Sequence, residues 1–301
     1  MIPLKNLLSD YQQKHQALPA FNIDSFEIYQ AVEMAVSELN LPCLVQLSPS
    51  EDKFIGAERL LMLVKKANSE GLPIYLNIDH GYDVRRLEHC LKIGFDMVHF
   101  DGSKMDFNTN LATTKYFVSQ MKEKYPSALI EVEFNHINLV GATPSSDSFT
   151  SPSEAKRFMA ETEADLFALS IGNLHGVNND LPEHLNISLL SEIKQTLGNT
   201  FLTLHGGSGV PLDQIQSAIS LGVVKININT SLRLKFIDSL RHQLTLGHGE
   251  KLYEYIDGAA ETYHPYGFKK VTTQDYKNGD RQVVVDIYEF KDSKNTFGIY
   301  S

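Results

Sequence analysis

Eight short runs of apolar and β-branched residues recur along residues 17–228, and they limit the possible folds of this chain more than any other feature. Consecutive runs start about 25 to 35 residues apart, which leaves room for one crossover helix between each pair, as parallel β-α-β units require. The intervening stretches, such as 25–39 and 108–124, carry apolar residues at helical spacing. The runs occupy residues 17–23, 42–48, 73–79, 96–101, 129–134, 165–171, 200–205 and 223–228.

Polar residues stand at the carboxyl ends of at least six of these runs. An open, doubly wound sheet concentrates its chemistry at one switch point, whereas a closed barrel collects residues from many strands at one mouth. The pattern therefore favours an α/β fold of the (β/α)8 or TIM-barrel type, with the doubly wound sheet as the alternative. The six residues are Asn22, Ser48, Asp79, Asp101, His205 and Asn227.

The pattern changes after about residue 250. A chain of 301 residues, 42% of them hydrophobic, is long enough for one large α/β barrel. We expect residues 1–250 to form this barrel as the catalytic domain and residues 251–301 to form a C-terminal extension of the same domain. The Asn278-Gly279 pair between two strand-like stretches predicts a β-hairpin appendage in the extension.

The overall charge and the cysteine count exclude several classes of partner and site. A formal net charge of -10 argues against a surface for nucleic acid or for an anionic membrane, because both demand clustered Lys and Arg. The two cysteines, Cys43 and Cys90, have no CxxC spacing, so they indicate neither a disulfide framework nor a thiolate metal site. No apolar leader or run of 18 apolar residues is visible. We expect a cytoplasmic protein.

Three histidines, His80, His175 and His205, stand at or just beyond the ends of predicted strands, and glycine follows each of them. In one barrel their imidazoles would converge at the mouth, which suits a catalytic zinc ion with an open fourth position. A single histidine in a sequence is more often a surface or core residue. The remaining histidines are interpreted that way, except for His99 and His136, whose roles stay open.

Four carboxylates are candidates for chemistry near these histidines. Asp79 directly precedes His80, so it is a candidate metal ligand, an orienting residue or a proton carrier, with a simple turn residue as the alternative. Asp101 ends one apolar strand, and Glu131 and Glu133 share one face of another. Burying carboxylates is unfavourable without a cation or strong hydrogen bonds, so we expect these three near a metal, or on a partly polar outer strand.

The segment His205-Gly206-Gly207-Ser208-Gly209 predicts a strand, a glycine turn and the start of a helix. Backbone amides at such a turn, together with a hydroxyl, can bind a phosphate group. The next strand, 223–228, also ends in polar residues. In (β/α)8 barrels a phosphate site frequently follows strands seven and eight, which agrees with this arrangement.

Taken together, these motifs resemble the class II, metal-dependent fructose- and tagatose-bisphosphate aldolases. The resemblance covers roughly residues 17–240, and its ordered motifs are specific jointly although none is specific alone. The motifs are Ala20-Phe21-Asn22, Gln46-Leu47-Ser48, Asp79-His80-Gly81, Phe100-Asp101-Gly102-Ser103, Glu131-Val132-Glu133, Thr150-Ser151-Pro152-Ser153-Glu154-Ala155, Ile171-Gly172-Asn173-Leu174-His175-Gly176, His205-Gly206-Gly207-Ser208-Gly209 and Lys225-Ile226-Asn227.

The resemblance implies reversible cleavage of a phosphorylated ketose into dihydroxyacetone phosphate and an aldehyde. Zinc on the three histidines would polarise the ketone and stabilise the enediolate, and Asp79 would carry the proton of the hydroxyl at the cleaved carbon. Asp101 and Glu131 match secondary metal carboxylates for a second divalent or a monovalent cation. A homodimer or homotetramer is also implied. The implied substrate and phosphate contacts are Asn22, Ser48, Gly176, Gly206, Gly207, Ser208, Asn227, Asn229 and Thr230.

The chain departs from the family pattern in three places. The loop at 134–147 lacks the acidic pair that supplies the base acting on dihydroxyacetone phosphate, which leaves Glu133, His136 or Asp147 as candidates. Asn229 replaces an aspartate beside the expected phosphate. The family's C-terminal helices, which carry an arginine for the distal phosphate, are not recognisable after about residue 250.

These departures leave the substrate open. The distal phosphate could be absent from the substrate, or a cation could bind it, with Lys269, Lys270 and Arg281 as candidates. The alternative functions are a barrel that binds metal and sugar phosphate as a sensor, an aldolase for a mono-phosphorylated or sulfonated ketose, and a metal-dependent hydrolase.

Overall fold

A closed barrel of eight parallel strands in chain order forms the body of the protein. The computed structural model describes residues 1–140, 148–177, 184–245, 268–278 and 281–290. Every predicted strand is present to within about two residues at each end, so the predicted (β/α)8 barrel is confirmed. The strands are β1 (Leu18–Asn22), β2 (Cys43–Leu47), β3 (Ile74–Gly81), β4 (Met97–Asp101), β5 (Leu129–Glu133), β6 (Leu166–Leu169), β7 (Phe201–Leu204) and β8 (Val223–Ile228).

Helices alternate with the strands and cover the barrel. Apolar residues on most of these helices, among them Val36, Leu60 and Phe117, pack against the outward-facing side chains of the strands, and this layer forms the larger of the two hydrophobic clusters. The helices are α1 (Leu4–Gln13), α2 (Phe26–Leu39), α3 (Pro49–Phe54), α4 (Ala57–Ser69), α5 (Val84–Ile93), α6 (Phe107–Lys124), α7 (Pro152–Thr162), α8 (Ile187–Leu197), α9 (Leu212–Ser220) and α10 (Thr230–Thr245).

The amino-terminal end of the barrel is filled by apolar side chains. Leu4, Leu7 and Leu8 of α1 pack against inward-facing residues such as Leu44 and Met97 at the beginnings of the strands. Because this end is closed and apolar, the polar residues inside the barrel are confined to the opposite, carboxyl end. The fold therefore leaves one mouth at which the predicted site residues can meet.

The outer face of β1 is less covered than the outer faces of the strands from β2 to β7. Its burial alternates, with Pro19 and Phe21 half-buried, whereas the strands from β2 to β7 are buried on both faces along nearly their whole length. A cavity of about 420 Å³ lies over this face, and its wall includes Val36, Leu39 and Ile219. This surface is predominantly apolar, so covering it would remove apolar area from water.

Residue contacts divide the chain into two compact units, Met1–Leu232 and Arg233–Ser301. In the second unit, β9 (Phe268–Asn278) and β10 (Arg281–Phe290) pair antiparallel. The turn residues 279 and 280 lie outside the described residues, and the C-terminal hairpin stays a prediction, as does the boundary at residue 250. Among the described helices, none is long and apolar enough to cross a membrane.

Asp96, just before β4, is expected to make stability depend on pH. Its Oδ2 accepts a hydrogen bond from the backbone N–H of Leu76 at 2.8 Å, and burial raises the pKa of Asp96 to about 6. The unfolded-state pKa is about 3.9, so the ionised side chain destabilises the fold fully above about pH 6, and this penalty is lost as the pH falls from about 6 to about 4. Asp96→Asn keeps the acceptor without the charge.

We therefore expect Asp96→Asn to raise the free energy of unfolding by about 1 to 2 kcal/mol at pH 8 and by less than about 0.5 kcal/mol at pH 4. Urea denaturation of both proteins at the two pH values measures the difference. An equal gain at pH 4 and pH 8 would show that ionisation of Asp96 is not its cause.

Candidate active site

The structure brings the three predicted histidines together at the mouth of the barrel. His205 Nδ1 lies 3.0 Å from His80 Nε2. The ring centroid of His175 is 5.0 Å from that of His80 and 6.0 Å from that of His205. These residues come from the end of β3, the segment after β6 and the end of β7, so the barrel places them side by side although they are far apart in sequence.

Glu131 of β5 fixes the orientation of His205. His205 Nε2 lies 2.8 Å from Glu131 Oε1, while Glu131 Oε2 accepts hydrogen bonds from Lys225 Nζ at 2.8 Å and Thr203 Oγ1 at 3.0 Å. Burial would raise the pKa of Glu131, but several interactions, led by the charge of Lys225 and including the hydrogen bond with His205, together outweigh burial and hold the pKa low. Burial lowers the pKa of His205 to about 3. A neutral His205 that donates from Nε2 keeps its lone pair on Nδ1, facing His80.

Asp79 is held between two amides. Its Oδ1 accepts from Asn227 Nδ2 at 2.9 Å and its Oδ2 from Asn22 Nδ2 at 3.2 Å. Burial would raise the pKa of Asp79, but nearby positive charge, that of His80 above all, keeps it well below the usual value. Asp79 is therefore an ionised carboxylate with a fixed orientation beside the histidines, which fits a proton acceptor.

A second group of carboxylates contacts the other nitrogen of His80. Asp101 Oδ2 lies 3.0 Å and Glu133 Oε1 lies 3.6 Å from His80 Nδ1. Burial raises the pKa of Glu133. Burial would also raise the pKa of Asp101, but hydrogen bonding with His80 and Glu133 together with nearby positive charge lowers it. The structure thus pairs Asp101 with Glu133 at His80, and it places Glu131 with His205 instead.

The glycine turn after β7 meets the start of α10, as the sequence predicts. Ser208 Oγ accepts hydrogen bonds from the backbone N–H groups of Asn229 at 3.3 Å and Ser231 at 3.1 Å. The backbone N–H of Gly207 donates to Asn227 at 3.0 Å. Thr230 begins α10 at the same place. Backbone amides at a helix start beside a hydroxyl are the groups that bind phosphate in proteins.

The side chain of Glu51 forms hydrogen bonds with three of the predicted substrate contacts. The sequence had assigned no role to Glu51. It accepts hydrogen bonds from Asn22 Nδ2 at 3.0 Å, the Ser48 backbone N–H at 2.7 Å and Asn229 Nδ2 at 3.2 Å. Ser48 itself caps α3. A carboxylate therefore lies next to Asn229, where the family pattern has an aspartate.

Other buried polar residues of the mouth had no role predicted from the sequence, and the role of His99 was left open. His99 and Lys225 are fully buried, and Gln46 Nε2 donates to Asn22 Oδ1 at 2.8 Å. The alternation of strands gave a signal for two of them, because His99 precedes Asp101 by two positions and Lys225 precedes Asn227 by two.

The segment after β5 lies against the His175 segment. The backbone N–H of His175 donates to Asn138 at 2.8 Å, and that of Val140 donates to His175 at 2.9 Å. Gly176 approaches Val140 closely, with a backbone φ of 122°. His136 is exposed on this segment, and its charge contributes to lowering the pKa of His175 to about 4, after burial and the charge of His80. Asp147 lies outside the described residues.

Gly206 is the position where the backbone of the site is most crowded. It has a φ of 69°, and a Cβ atom there would lie 1.9 Å from the carbonyl oxygen of Leu174, next to His175. Gly198 has a similar φ of 60°, but a Cβ atom there would meet nothing within 4 Å. The two glycines therefore separate the effect of backbone conformation from the effect of close approach.

We expect Gly198→Ala to lower the free energy of unfolding by about 1 kcal/mol and Gly206→Ala by at least about 3 kcal/mol. Urea denaturation measures both losses. Equal losses in the two variants would mean that the contact with Leu174 does not matter.

The donor set at the mouth fits a divalent transition metal. Among the described residues, two groups could hold an ion: Asp79, His80, His99 and His205, and separately His80, Asp101 and Glu133, each with ligand atoms within 4.8 Å of one another. The ring nitrogens of His80 and His205 lie 3.0 Å apart, within hydrogen-bond distance, and the same arrangement lets both rings turn toward one ion; imidazole suits zinc. Carboxylates behind both rings orient them, as around many metal sites.

Comparisons with known proteins agree with this geometry. The family described as class II fructose-bisphosphate aldolase matches residues 2–283. A fructose-bisphosphate aldolase of Ureaplasma parvum is 33% identical over 81% of this chain and 84% of that protein. The GatY subunit of a D-tagatose-1,6-bisphosphate aldolase of Klebsiella oxytoca is 31% identical over 80% and 86% of the two chains. The crystal structure of the YdjI aldolase of Escherichia coli K12 has a TM-score of 0.69 and 26% identity, covering 80% and 86%.

Proposed function

Since the chain belongs to the class II fructose-bisphosphate aldolase family, and is thus an aldolase and a carbon-carbon lyase, we propose that it cleaves a phosphorylated ketose in a zinc-dependent, reversible reaction. The products would be dihydroxyacetone phosphate and an aldehyde. One observation carries the proposal: nitrogens of His80 and His205 face each other at 3.0 Å with the His175 ring beside them and ionised Asp79 adjacent.

The family depends on a metal ion, and zinc held by His80, His175 and His205 would supply the Lewis acid that polarises the ketone. Glu131 orients His205 for this role, because its hydrogen bond with Nε2 leaves Nδ1 unprotonated, with its lone pair toward His80 and Asn227. Asp101 and Glu133, rather than Glu131, are the better candidates for a secondary cation, since both contact His80.

Asp79 would accept the proton from the hydroxyl group at the cleaved carbon and return it in the reverse direction. Asn22 and Asn227 hold its two oxygens in place, so the carboxylate needs no reorganisation when the substrate arrives. The side-chain oxygen of Asn227 is buried and has no hydrogen-bond partner among the described residues. That oxygen is available to a substrate hydroxyl.

Gly206, Gly207 and Ser208 and the start of α10 at Thr230 would bind the phosphate end, with Gly176 beside them. The amides of Asn229 and Ser231 already converge on the Ser208 hydroxyl, which shows the direction in which their N–H groups point. The side-chain amide of Asn229 donates to Glu51, so we propose that Asn229 contributes its backbone rather than its side chain.

The base that removes a proton from dihydroxyacetone phosphate would come from the segment after β5. His136 is the described candidate that is both accessible and close enough to His175 to change its pKa. Glu133 is buried and contacts His80 and His99, which makes it a weaker candidate for direct contact with substrate.

A cytoplasmic homo-oligomer is part of the same proposal. The apolar cavity over the outer face of β1 is the kind of surface that a second copy of the chain would cover, with exposed Leu39 and Leu41 at its edge. The oligomeric mass measured by light scattering would decide between a monomer, a dimer and a tetramer.

The proposed function is tested by metal analysis and a coupled cleavage assay. The purified protein is assayed with fructose and tagatose bisphosphates, ketose monophosphates and sulfonated ketoses, before and after removal of metal by a chelator and again after addition of zinc. We expect turnover on one of these substrates that disappears with the metal and returns with zinc. If the protein exchanges the labelled proton of dihydroxyacetone phosphate but cleaves none of the ketoses, its activity is limited to deprotonating dihydroxyacetone phosphate.

Tight binding of dihydroxyacetone phosphate with neither cleavage nor proton exchange would indicate a sensor instead of an enzyme. Absence of bound zinc, together with no chelator-sensitive turnover on any of these compounds, would contradict the proposal.

A further inference from the structure

We propose that His99 is a positioning residue: its side chain holds a β-bulge in β3 that turns both Asp79 and His80 into the mouth of the barrel. This inference rests on the proposed function, because it concerns how His80 is presented as a metal ligand. His99 itself would not bind the ion or the substrate.

The bulge is visible in the pairing of β3 with β4. Ile78 pairs with Val98, and the next pair is Gly81 with Phe100. Two residues of β3, Asp79 and His80, therefore stand opposite one residue of β4, which is His99. Two residues opposite one is the defining count of a β-bulge.

The bulge explains how neighbouring residues reach the same site. In a regular strand, successive side chains point to opposite faces, so Asp79 and His80 could not both face the mouth. Here Asp79 contacts Asn227 and His80 contacts His205, both inside the barrel. His80 has a backbone φ of 50°, in the left-handed region that residues with a side chain rarely adopt.

The bulge removes the backbone N–H of His80 from the regular ladder of hydrogen bonds, and His99 replaces the missing acceptor. The N–H group donates to His99 Nδ1 at 3.1 Å, and the His99 side chain is fully buried. A buried N–H group without an acceptor is strongly unfavourable. His99 Nδ1 thus stabilises the backbone conformation that directs the His80 ring.

The same hydrogen bond prevents His99 from acting as a metal ligand through Nδ1. Because Nδ1 accepts a backbone proton, it has no lone pair left for an ion, and the proton of the neutral ring belongs on Nε2. His99 Nε2 lies 3.7 Å from Glu133 Oε2, and neither atom has a hydrogen-bond partner among the described residues. The contact with Glu133 is therefore a competing explanation for the presence of a histidine at this position.

Three variants distinguish the two contacts. In His99→Asn, the side-chain oxygen occupies the position of Nδ1, so it can still accept from His80, but nothing replaces Nε2. In His99→Gln, the terminal amide reaches toward Glu133, but no acceptor remains at the position of Nδ1. His99→Leu fills the space and removes both polar contacts. The measurements are zinc affinity, by competition with a chromophoric chelator, and the thermal midpoint of each metal-free protein.

We expect His99→Asn to bind zinc within about threefold of the parent protein, and His99→Gln and His99→Leu to bind it about ten- to a hundredfold more weakly, as is usual when a residue that orients a ligand is lost. The metal-free Gln variant should have a lower thermal midpoint than the Asn variant, because its buried His80 N–H lacks an acceptor. Zinc affinity is therefore compared at a temperature well below both midpoints, where both variants are folded, so that the difference in affinity does not come from global unfolding. If His99→Leu does not fold, the comparison of His99→Asn with His99→Gln is sufficient to distinguish the two contacts.

The reverse order, with the Gln variant retaining zinc and the Asn variant losing it, would overturn the inference in favour of the Glu133 contact. Equal affinity in all three variants, whether high or low, would also overturn it. If the parent protein binds no zinc, the proposed function fails before the variants are compared, so the two failures are distinguishable.

Discussion

Replacing His205 with alanine is expected to remove the bound metal and to lower the turnover number for ketose cleavage by about a thousandfold or more. The substitution deletes the nitrogen that faces His80 at 3.0 Å. It also leaves Glu131 with Lys225 and Thr203 but without its imidazole partner. Polarisation of a carbonyl by a metal contributes several kcal/mol to catalysis, and each 1.4 kcal/mol or so corresponds to a factor of ten in rate.

The measurements are zinc content by mass spectrometry after dialysis and the turnover number on the best substrate. His89→Ala is the matched control, because this histidine is half-exposed and contacts Glu58 on the surface. The control should keep both metal and activity. If His205→Ala kept its zinc and lost less than about threefold in turnover, the trio of histidines could not be the metal site.

The barrel could be predicted because its strands are buried on both faces. Strands such as β2 and β5 are buried at every position, so they stand out in the sequence as short apolar runs, and the segments between them have helical periodicity. β1 is less regular, but Asn22 at its end still marks the mouth. The strand alternation would also have placed His99 and Lys225 inside the barrel, had it been applied to every polar residue of these runs.

The two glutamates of β5 show where prediction from sequence ends. Strand alternation correctly places Glu131 and Glu133 on one face. It does not specify their partners, because these depend on the stagger between strands that are distant in sequence. In the folded barrel, Glu131 lies deeper and contacts Lys225, whereas Glu133 lies near Asp101 and His80.

The bulge in β3 could not be predicted for a similar reason. Nothing in Ile78-Asp79-His80-Gly81 distinguishes it from a regular strand end, and the acceptor that stabilises it belongs to the next strand. The sequence therefore indicated that Asp79 and His80 have functional roles, but not how both can face one site. The loop at 134–147 has no periodicity to interpret, and only its first seven residues are among those described.

Asp79→Asn is expected to reduce the rate of ketose cleavage by about a hundred- to ten-thousandfold while the protein keeps its zinc. Both oxygens of Asp79 accept hydrogen bonds from amide nitrogens, those of Asn22 and Asn227. The amide nitrogen of a new asparagine would face one of these donors, so the variant loses the fixed orientation as well as the proton acceptor. The three histidines do not change, and zinc binding should persist.

The decisive comparison is between cleavage and the exchange of the labelled proton of dihydroxyacetone phosphate. Exchange does not involve the hydroxyl at the cleaved carbon. The exchange rate of Asp79→Asn should therefore stay within about threefold of that of the parent protein, while the cleavage rate falls steeply. Asp83→Asn is the control, because this exposed aspartate caps α5 through an oxygen that asparagine also offers. If exchange and cleavage declined together, Asp79 would act by holding the metal site in shape, because a specific proton carrier affects only the step that uses its proton.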